Sequence, residues 1–281
     1  MKIIKTVGEF VNWRKTIQTS LGFVPTMGAL HEGHLSLIYK SKELCSQTVV
    51  SIFINPTQFA PNEDLDAYPQ TINEDIENLQ KLKVDVLFLP TEKEMYNQAD
   101  SVKIKPTNLF LKLEGKSRPH FFYGVVTIVA KLFNLIKPSH AFFGEKDAQQ
   151  LRIIKQMINK MNYNIMLIAC PTIRNKNGLA LSSRNQYLSE KEKLYAAYFY
   201  ACLMNIKYYL DQGELNPKIL KKQFEIDMKK YPKFKVDYIS IACSDTLEEI
   251  NNMIAGNVLI SCAVFYNNVR LIDNFSYQSS T

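Results

Sequence analysis

The chain lacks the features that would take it out of aqueous small-molecule chemistry. Its 281 residues contain no run of about 18 consecutive apolar residues, the length a bilayer-spanning helix needs. The opening string Met1 to Thr6 has no apolar segment followed by a small-residue cleavage site, so the expected location is the cytoplasm, with no membrane partner. Its five cysteines, Cys45, Cys170, Cys202, Cys243 and Cys262, are odd in number and never spaced C-x-x-C, which predicts free thiols rather than a disulfide framework. Glycine is sparse at 10 residues and forms neither G-x-x-x-x-G-K-[S/T] nor G-x-G-x-x-G, which excludes a P-loop hydrolase and a dinucleotide dehydrogenase. Internal repeats and low-complexity linkers are also missing. Acidic charge is in short supply: the net charge is +7 and the isoelectric point about 9.0. That balance fits a nucleic-acid binder, a membrane-surface protein or an enzyme with anionic substrates. The basic excess is spread along the chain and forms no arm. Its densest stretch, Lys218 to Lys235, alternates Lys221, Lys222, Lys229 and Lys230 with Phe224, Ile226 and Met228, as an amphipathic surface helix does.

What is present is apolar and periodic. Apolar residues make up 46% of the chain, enough for a full core. Through the first 170 or so residues, strand-like segments (Leu21 to Pro25, Thr48 to Ile54, Val84 to Leu89, His140 to Phe143, Asn164 to Ala169) alternate with helical ones (His31 to Cys45, Thr71 to Lys81, Gly124 to Ile136, Ala148 to Met161). This predicts an α/β doubly wound parallel sheet, whose ligands sit at the carboxyl ends of the strands. After Pro171 the pattern changes. Helices are expected over Glu190 to Leu210 and Pro217 to Lys230, and strands over Val236 to Ala242, Val258 to Phe265 and Val269 to Ile272, with Asn267-Asn268 as a tight hairpin turn. The expected division is a sheet domain over 1–172 and a smaller α+β C-terminal domain over 173–281.

The loops that follow the predicted strands carry the chemistry. In Pro25-Thr26-Met27-Gly28-Ala29-Leu30-His31-Glu32-Gly33-His34, two of the chain's four histidines stand three residues apart where a strand breaks at Pro25 and Gly28 and a helix opens. Unpaired N–H groups, a partial positive charge and imidazole donors at one place suit phosphate. A metal pair and a solvated pair are the alternative readings, and no His/Cys cluster stands nearby to complete a zinc site. Asn55-Pro56-Thr57-Gln58-Phe59 offers two amides suited to the hydroxyls and carboxylate of a small polar substrate, with self-capping by Asn55 as the other account of that residue. Gly144-Glu145-Lys146-Asp147 sets a lysine at a helix N-terminus, where a bound phosphate, or pairing with Glu145 or Asp147, would offset the unfavourable charge. Leu181-Ser182-Ser183-Arg184-Asn185 combines two hydroxyls with a guanidinium, a phosphate clamp unless a serine caps the next helix.

These strings, with Asp66-Ala67-Tyr68-Pro69, Gln149-Gln150-Leu151 and a weaker echo in Arg270-Leu271-Ile272-Asp273-Asn274, resemble the ordered motif set of the pantothenate synthetase (pantoate-beta-alanine ligase) family. The resemblance runs from about Val24 to Tyr187. It implies a Rossmann-like sheet of the nucleotidylyltransferase superfamily over 1–172, a C-terminal lid over 173–281, and a cytoplasmic homodimer with no nucleic-acid partner. The implied reaction joins (R)-pantoate and beta-alanine at the cost of ATP, with Mg²⁺, through a pantoyl adenylate, releasing AMP and diphosphate. By the same resemblance His34, His31, Lys146 and Arg184 are catalytic. Met27, Gly28, Gly144, Glu145, Asp147, Ile173, Leu181, Ser182 and Ser183 join them around ATP, and Asn55, Gln58 and Gln150 bind the acid and amine substrates. Mg²⁺ is expected mainly on the ATP phosphates, with its protein ligands unassigned. The chain departs from the family pattern at Arg118-Pro119-His120-Phe121, where the histidine is shifted by one and its usual slot is Phe121. No role passes to His120. Leu181 stands where a methionine is sometimes found, a mild apolar exchange. Two other readings compete with this one: a different adenylyltransferase of the superfamily, and an RNA- or partner-binding protein on an inherited nucleotide fold.

Overall fold

Short apolar strands buried on both faces force a parallel sheet between helices. The computed structural model describes residues 1–61, 63–96 and 107–279. In it the strands β1 (Lys2–Ile4), β2 (Leu21–Thr26), β3 (Gln47–Ile52), β4 (Val86–Phe88), β5 (His140–Gly144) and β6 (Met166–Cys170) form one sheet in the order β1-β4-β3-β2-β5-β6. All its pairings are parallel. Chain order reverses between β2 and β5, the switch point where doubly wound sheets bind ligands. Val24, Val50, Leu87 and Phe142 are fully buried under the helices Glu32–Leu44 and Ile72–Lys81, with Ile38 and Leu79 from those helices fully buried against them. Full burial of each such side chain contributes roughly 1.5 to 3 kcal/mol.

The C-terminal sheet is antiparallel, β7 (Phe234–Cys243), β8 (Asn257–Tyr266) and β9 (Val269–Gln278). The turn between β8 and β9 carries Asn267 at φ 51°, the left-handed conformation that asparagine tolerates. Leu220, Phe224 and Met228 of the helix Pro217–Lys229 are buried in this core while Lys218, Lys222 and Lys229 are exposed, as the amphipathic reading expects; Ile226, read with the apolar residues, is exposed. By compactness the chain divides into Met1–Glu145 with Gln150–Pro171, and Lys146–Gln149 with Thr172–Thr281.

Several features differ from the expectation. The sequence reading has neither β1 nor the helix Val7–Lys15, whose buried residues are few. The helix expected over Glu190 to Leu210 is two, Glu190–Ala196 and Tyr198–Asp211, and β9 runs on past Ile272 to Gln278. β2 does not end at Pro25. Leu21 carbonyl accepts from Ser139 N–H on the β5 side, and Thr26 carbonyl accepts from Phe53 N–H on the β3 side. Alternation therefore turns Pro25 toward β5, and that ladder has already ended at Phe23↔Ala141. A missing N–H costs nothing there.

All five cysteines are free. Burial, helped by the charge of Asp227, pushes the Cys202 thiol up to about 11. Burial likewise raises Cys45 and Cys170. Hydrogen bonds from the Thr246 side chain and from the Thr246 and Asp245 backbone lower the half-buried Cys243, burial opposing them. Native protein treated with a thiol reagent near pH 8 is therefore expected to lose Cys243 first by peptide mapping. Faster labelling of Cys202 would contradict these surroundings.

Candidate active site

The first unit gathers one group of candidate residues at the carboxyl ends of β2, β3 and β5. Past β2, Met27 leads into Gly28 at φ 85° and Ala29 at φ 50°, two left-handed residues in succession. A Cβ on Gly28 would stand 3.2 Å from Asp75 Oδ2 as well as in a strained backbone. The carboxylate of Asp75, 2% exposed, holds this loop by accepting from Ala29 N–H at 2.9 Å and Leu30 N–H at 2.8 Å. Asp75 is absent from the sequence reading. An acidic residue in the first turn of a helix reads locally as a complement to the helix dipole, and no local pattern points 46 residues back to the loop it ties.

That loop delivers His31 and His34. His31 is itself the cap of the helix Glu32–Leu44: its Nδ1 accepts from Gly33 N–H at 3.1 Å, and His34 Nδ1 accepts from His31 N–H at 3.4 Å. This reciprocal capping box consumes both Nδ1 lone pairs, so each neutral ring carries its proton on Nε2. The ring centroids lie 4.1 Å apart. Two Nε2–H donors are thus paired on the first turn of a 13-residue helix.

After β3, Asn55 caps the short 3-10 turn Pro56–Gln58. Asn55 is wholly buried and its amide is spent inside the protein. Its Oδ1 accepts from Tyr96 OH at 2.7 Å and Thr57 Oγ1 at 2.9 Å, and its Nδ2 donates to Gln58 Oε1 at 2.9 Å and to Gly124 carbonyl at 3.1 Å. Both Asn55 donors are thus engaged within the protein, so a substrate contact by Asn55 would have to share or displace them. Self-capping, the other account of this residue, is present as well. Burial, aided by the charge of Glu92, raises the Tyr96 hydroxyl above its ordinary pKa despite hydrogen bonds to Thr57 and Asn55. Arg118 braces the same turn: its guanidinium donates to Glu63 and to Gln58 carbonyl at 3.2 Å, and lies 3.9 Å over the Phe121 ring. Phe121 therefore serves as an aromatic platform, and His120 is exposed at the start of the helix Phe121–Ile136. Gly144 ends β5, Glu145 opens the 3-10 turn Glu145–Asp147, and Gln150, half-buried, follows in the helix Ala148–Lys160.

The second unit holds the other group. Lys146 Nζ lies 3.3 Å from Asp147 Oδ1, the local pairing that the sequence allowed for. Ile173 to Leu181 form a small hairpin, closed by Leu181 N–H to Ile173 carbonyl at 2.9 Å and by the Arg174↔Ala180 bridge. Arg174 locks it with a bidentate pair to Asp273, at 2.5 and 2.8 Å, a bond to Gly178 carbonyl at 3.1 Å and a seat 3.7 Å over Tyr200. Burial works against that guanidinium's charge, and Asp273 more than restores it, raising its pKa. Ser182 Oγ accepts from Arg184 N–H at 3.4 Å and caps Ser183–Tyr187, while the next helix takes its own cap from Ser189. Asn274 Nδ2 donates to Lys146 carbonyl at 2.8 Å, so β9 anchors the backbone of Lys146 as well as Arg174. This gives the faint Asp273-Asn274 echo a definite structural part.

Among the described residues no group of three His, Cys, Asp or Glu side chains could hold a metal ion, and no helix is long and apolar enough to cross a membrane. Residues 2–276 match the family described as pantoate-beta-alanine ligase. A curated relative from Fervidobacterium nodosum, described as pantothenate synthetase, is 43% identical over 281 residues and covers 98% of each chain. Another of that description, from Caldicellulosiruptor saccharolyticus, is 46% identical over 271 residues and covers 96% of each. A crystal structure of pantothenate synthetase from Thermus thermophilus superposes with a TM-score of 0.92 at 36% identity, covering 98% of this chain and 99% of that one. A ligase structure from Francisella tularensis, described as complexed with beta-gamma ATP and beta-alanine, has a TM-score of 0.79 at 38% identity, covering 98% of this chain and 97% of that one. A nucleotide fold with its histidine-capped loop, amide turn and serine-arginine segment all in sequence order therefore has a family: the chain belongs to the pantoate-beta-alanine ligases.

Proposed function

We propose that the chain condenses (R)-pantoate with beta-alanine through a pantoyl adenylate. The observation that carries this reading is the pair of imidazoles whose Nδ1 atoms are committed to a helix cap, leaving Nε2–H as the donor on each ring. In the first step a pantoate carboxylate oxygen attacks the α-phosphorus of ATP. The bond from that phosphorus to the bridging oxygen breaks, and diphosphate leaves with the electron pair. His31 and His34 stabilise charge growing on the phosphoryl oxygens, and preorganised donors of this kind act most strongly where charge develops. Lys146, Ser182, Ser183 and Arg184 hold the phosphates. Met27, Gly28, Gly144, Glu145, Asp147, Ile173 and Leu181 line the nucleotide. Gln58 and Gln150 fix pantoate so that its carboxylate faces phosphorus, which makes the attack effectively intramolecular. In the second step the neutral amine of beta-alanine attacks the acyl carbon, the carbon–oxygen bond to AMP breaks, and the nitrogen gives up a proton.

Among the described residues no three His, Cys, Asp or Glu side chains stand together, and no protein ligand is assigned to the metal. In this reading Mg²⁺ arrives as part of the nucleotide co-substrate, as it commonly does. A cytoplasmic homodimer, and a lid role for 173–281 that keeps water from the mixed anhydride, belong to the same proposal. Paired free and ATP-bound structures in which that segment holds its position would remove the lid.

The deciding experiment follows diphosphate and AMP from MgATP and pantoate, with and without beta-alanine. Pantoate alone is expected to release diphosphate, with free AMP and pantothenate appearing when beta-alanine is added. A nucleotidylated product in place of AMP would indicate another adenylyltransferase. A folded protein with no pantoate-dependent turnover would overturn the reading.

A further inference from the structure

We propose that Tyr96 is a positioning residue for pantoate that acts through Asn55 on the amide of Gln58; this rests on the assignment of Gln58 to pantoate above. A carboxamide can sit in either of two orientations related by a half-turn, and only its partners decide between donor and acceptor ends. At Asn55 the partners decide it. Tyr96 OH at 2.7 Å is the shortest donor to Oδ1, and Thr57 adds its hydroxyl at 2.9 Å and its N–H at 3.4 Å. Gly124 carbonyl, an acceptor alone, takes Nδ2 at 3.1 Å. The remaining Asn55 donor is then fixed on Gln58, so the Gln58 atom it meets is Oε1, at 2.9 Å. Gln58 Nε2 is consequently the end that is free to donate among the described residues. A hydroxyl or carboxylate oxygen of a hydroxy acid meets a donor already oriented, and no rotamer search accompanies binding.

The tyrosine is suited to this task by its surroundings. Its ring lies 6.1 Å from Phe53 and 5.4 Å from Lys131 Nζ, contacts that a phenylalanine would keep. Tyr96→Phe therefore deletes the hydroxyl's bond to Asn55 at 2.7 Å and its longer contact with Thr57 at 3.3 Å, and keeps the ring contacts. The relay from Asn55 to the Gln58 amide then loses its shortest hydrogen bond, with Thr57 and the Gly124 carbonyl left to hold Asn55.

The test is a double-mutant cycle read in separate KM values. Tyr96→Phe is expected to raise the pantoate KM roughly 5- to 10-fold, the size of one neutral hydrogen bond, with the ATP KM and kcat within about twofold. Gln58→Ala should raise the pantoate KM by more. Tyr96→Phe added to Gln58→Ala should change it by less than about twofold, because the amide it orients is gone. Equal effects of Tyr96→Phe on the pantoate and ATP KM, or the same factor in both backgrounds, would mark a general structural role and overturn the proposal. If Gln58→Ala raises the pantoate KM and Tyr96→Phe does not, the relay fails and the substrate assignment stands. If Gln58→Ala leaves the pantoate KM unchanged, both fall.

Discussion

His34→Gln is expected to keep the fold and lose about a hundred- to a thousandfold in the rate of pantoate-dependent diphosphate release, or about 3 to 4 kcal/mol of transition-state stabilisation. The choice of glutamine separates two duties that one side chain performs. His34 Nδ1 accepts from His31 N–H as the third residue of the helix, a position where glutamine commonly plays the same part in a capping box. Gln therefore supplies an acceptor for the cap, and it has no imidazole Nε2–H held at that reach and angle. His34→Ala removes both, adding a cap loss on the order of 1 kcal/mol to the rate loss. Melting temperature and single-turnover diphosphate release are the two readouts. If the glutamine variant turns over within tenfold of wild type, the imidazole is a cap alone. The same logic gives His31→Asn, which retains a cap acceptor in place of Nδ1.

The histidine pair also shows how far the sequence carries. Its place after the first long strand is legible because an apolar run, a glycine turn and an amphipathic run follow one another within twenty residues. The cap role is not, since histidine is seldom the residue chosen there. Long strands and helices are readable for the same reason of period, whereas β1 has three residues with one buried and leaves no pattern to detect. The irregularity at Ala197 between two helices has no proline or glycine to announce it. Pro25 misleads in the opposite direction: a residue that normally ends a central strand is harmless when the neighbouring ladder has already parted. Asn55, Gln58, Lys146 and Ser182 to Arg184 are legible as polar residues clustered on loops between the periodic segments. What holds them is not. Asp75 and Tyr96 reach their partners across 46 and 41 residues, and nothing in a local window distinguishes them from surface side chains.

Asp273→Ala is expected to cost about 3 to 5 kcal/mol of stability, the range for removing one member of a buried ion pair. The estimate follows from what is left behind. Asp273 is 2% and the Arg174 side chain 20% exposed, so the guanidinium would remain largely out of water with its bidentate partner gone. Gly178 carbonyl and the face of Tyr200 would be its remaining contacts, and neither carries a full charge. Asn274 N–H, which donates to Asp273 Oδ1 at 2.8 Å, would lose its acceptor as well. The melting temperature should fall by roughly 10 °C. Function should suffer even in the molecules that remain folded, because the hairpin locked by Arg174 leads directly into Ser182, Ser183 and Arg184, and Asn274 steadies Lys146 carbonyl. A higher KM for ATP at temperatures well below the transition is the expected sign. Asp273→Asn provides the control. It keeps an oxygen able to accept from Arg174 and removes the charge, so its loss should fall between wild type and alanine. Should alanine cost less than about 1 kcal/mol, the pair would rank with exposed ion pairs and the hairpin would owe its shape to its own backbone bonds.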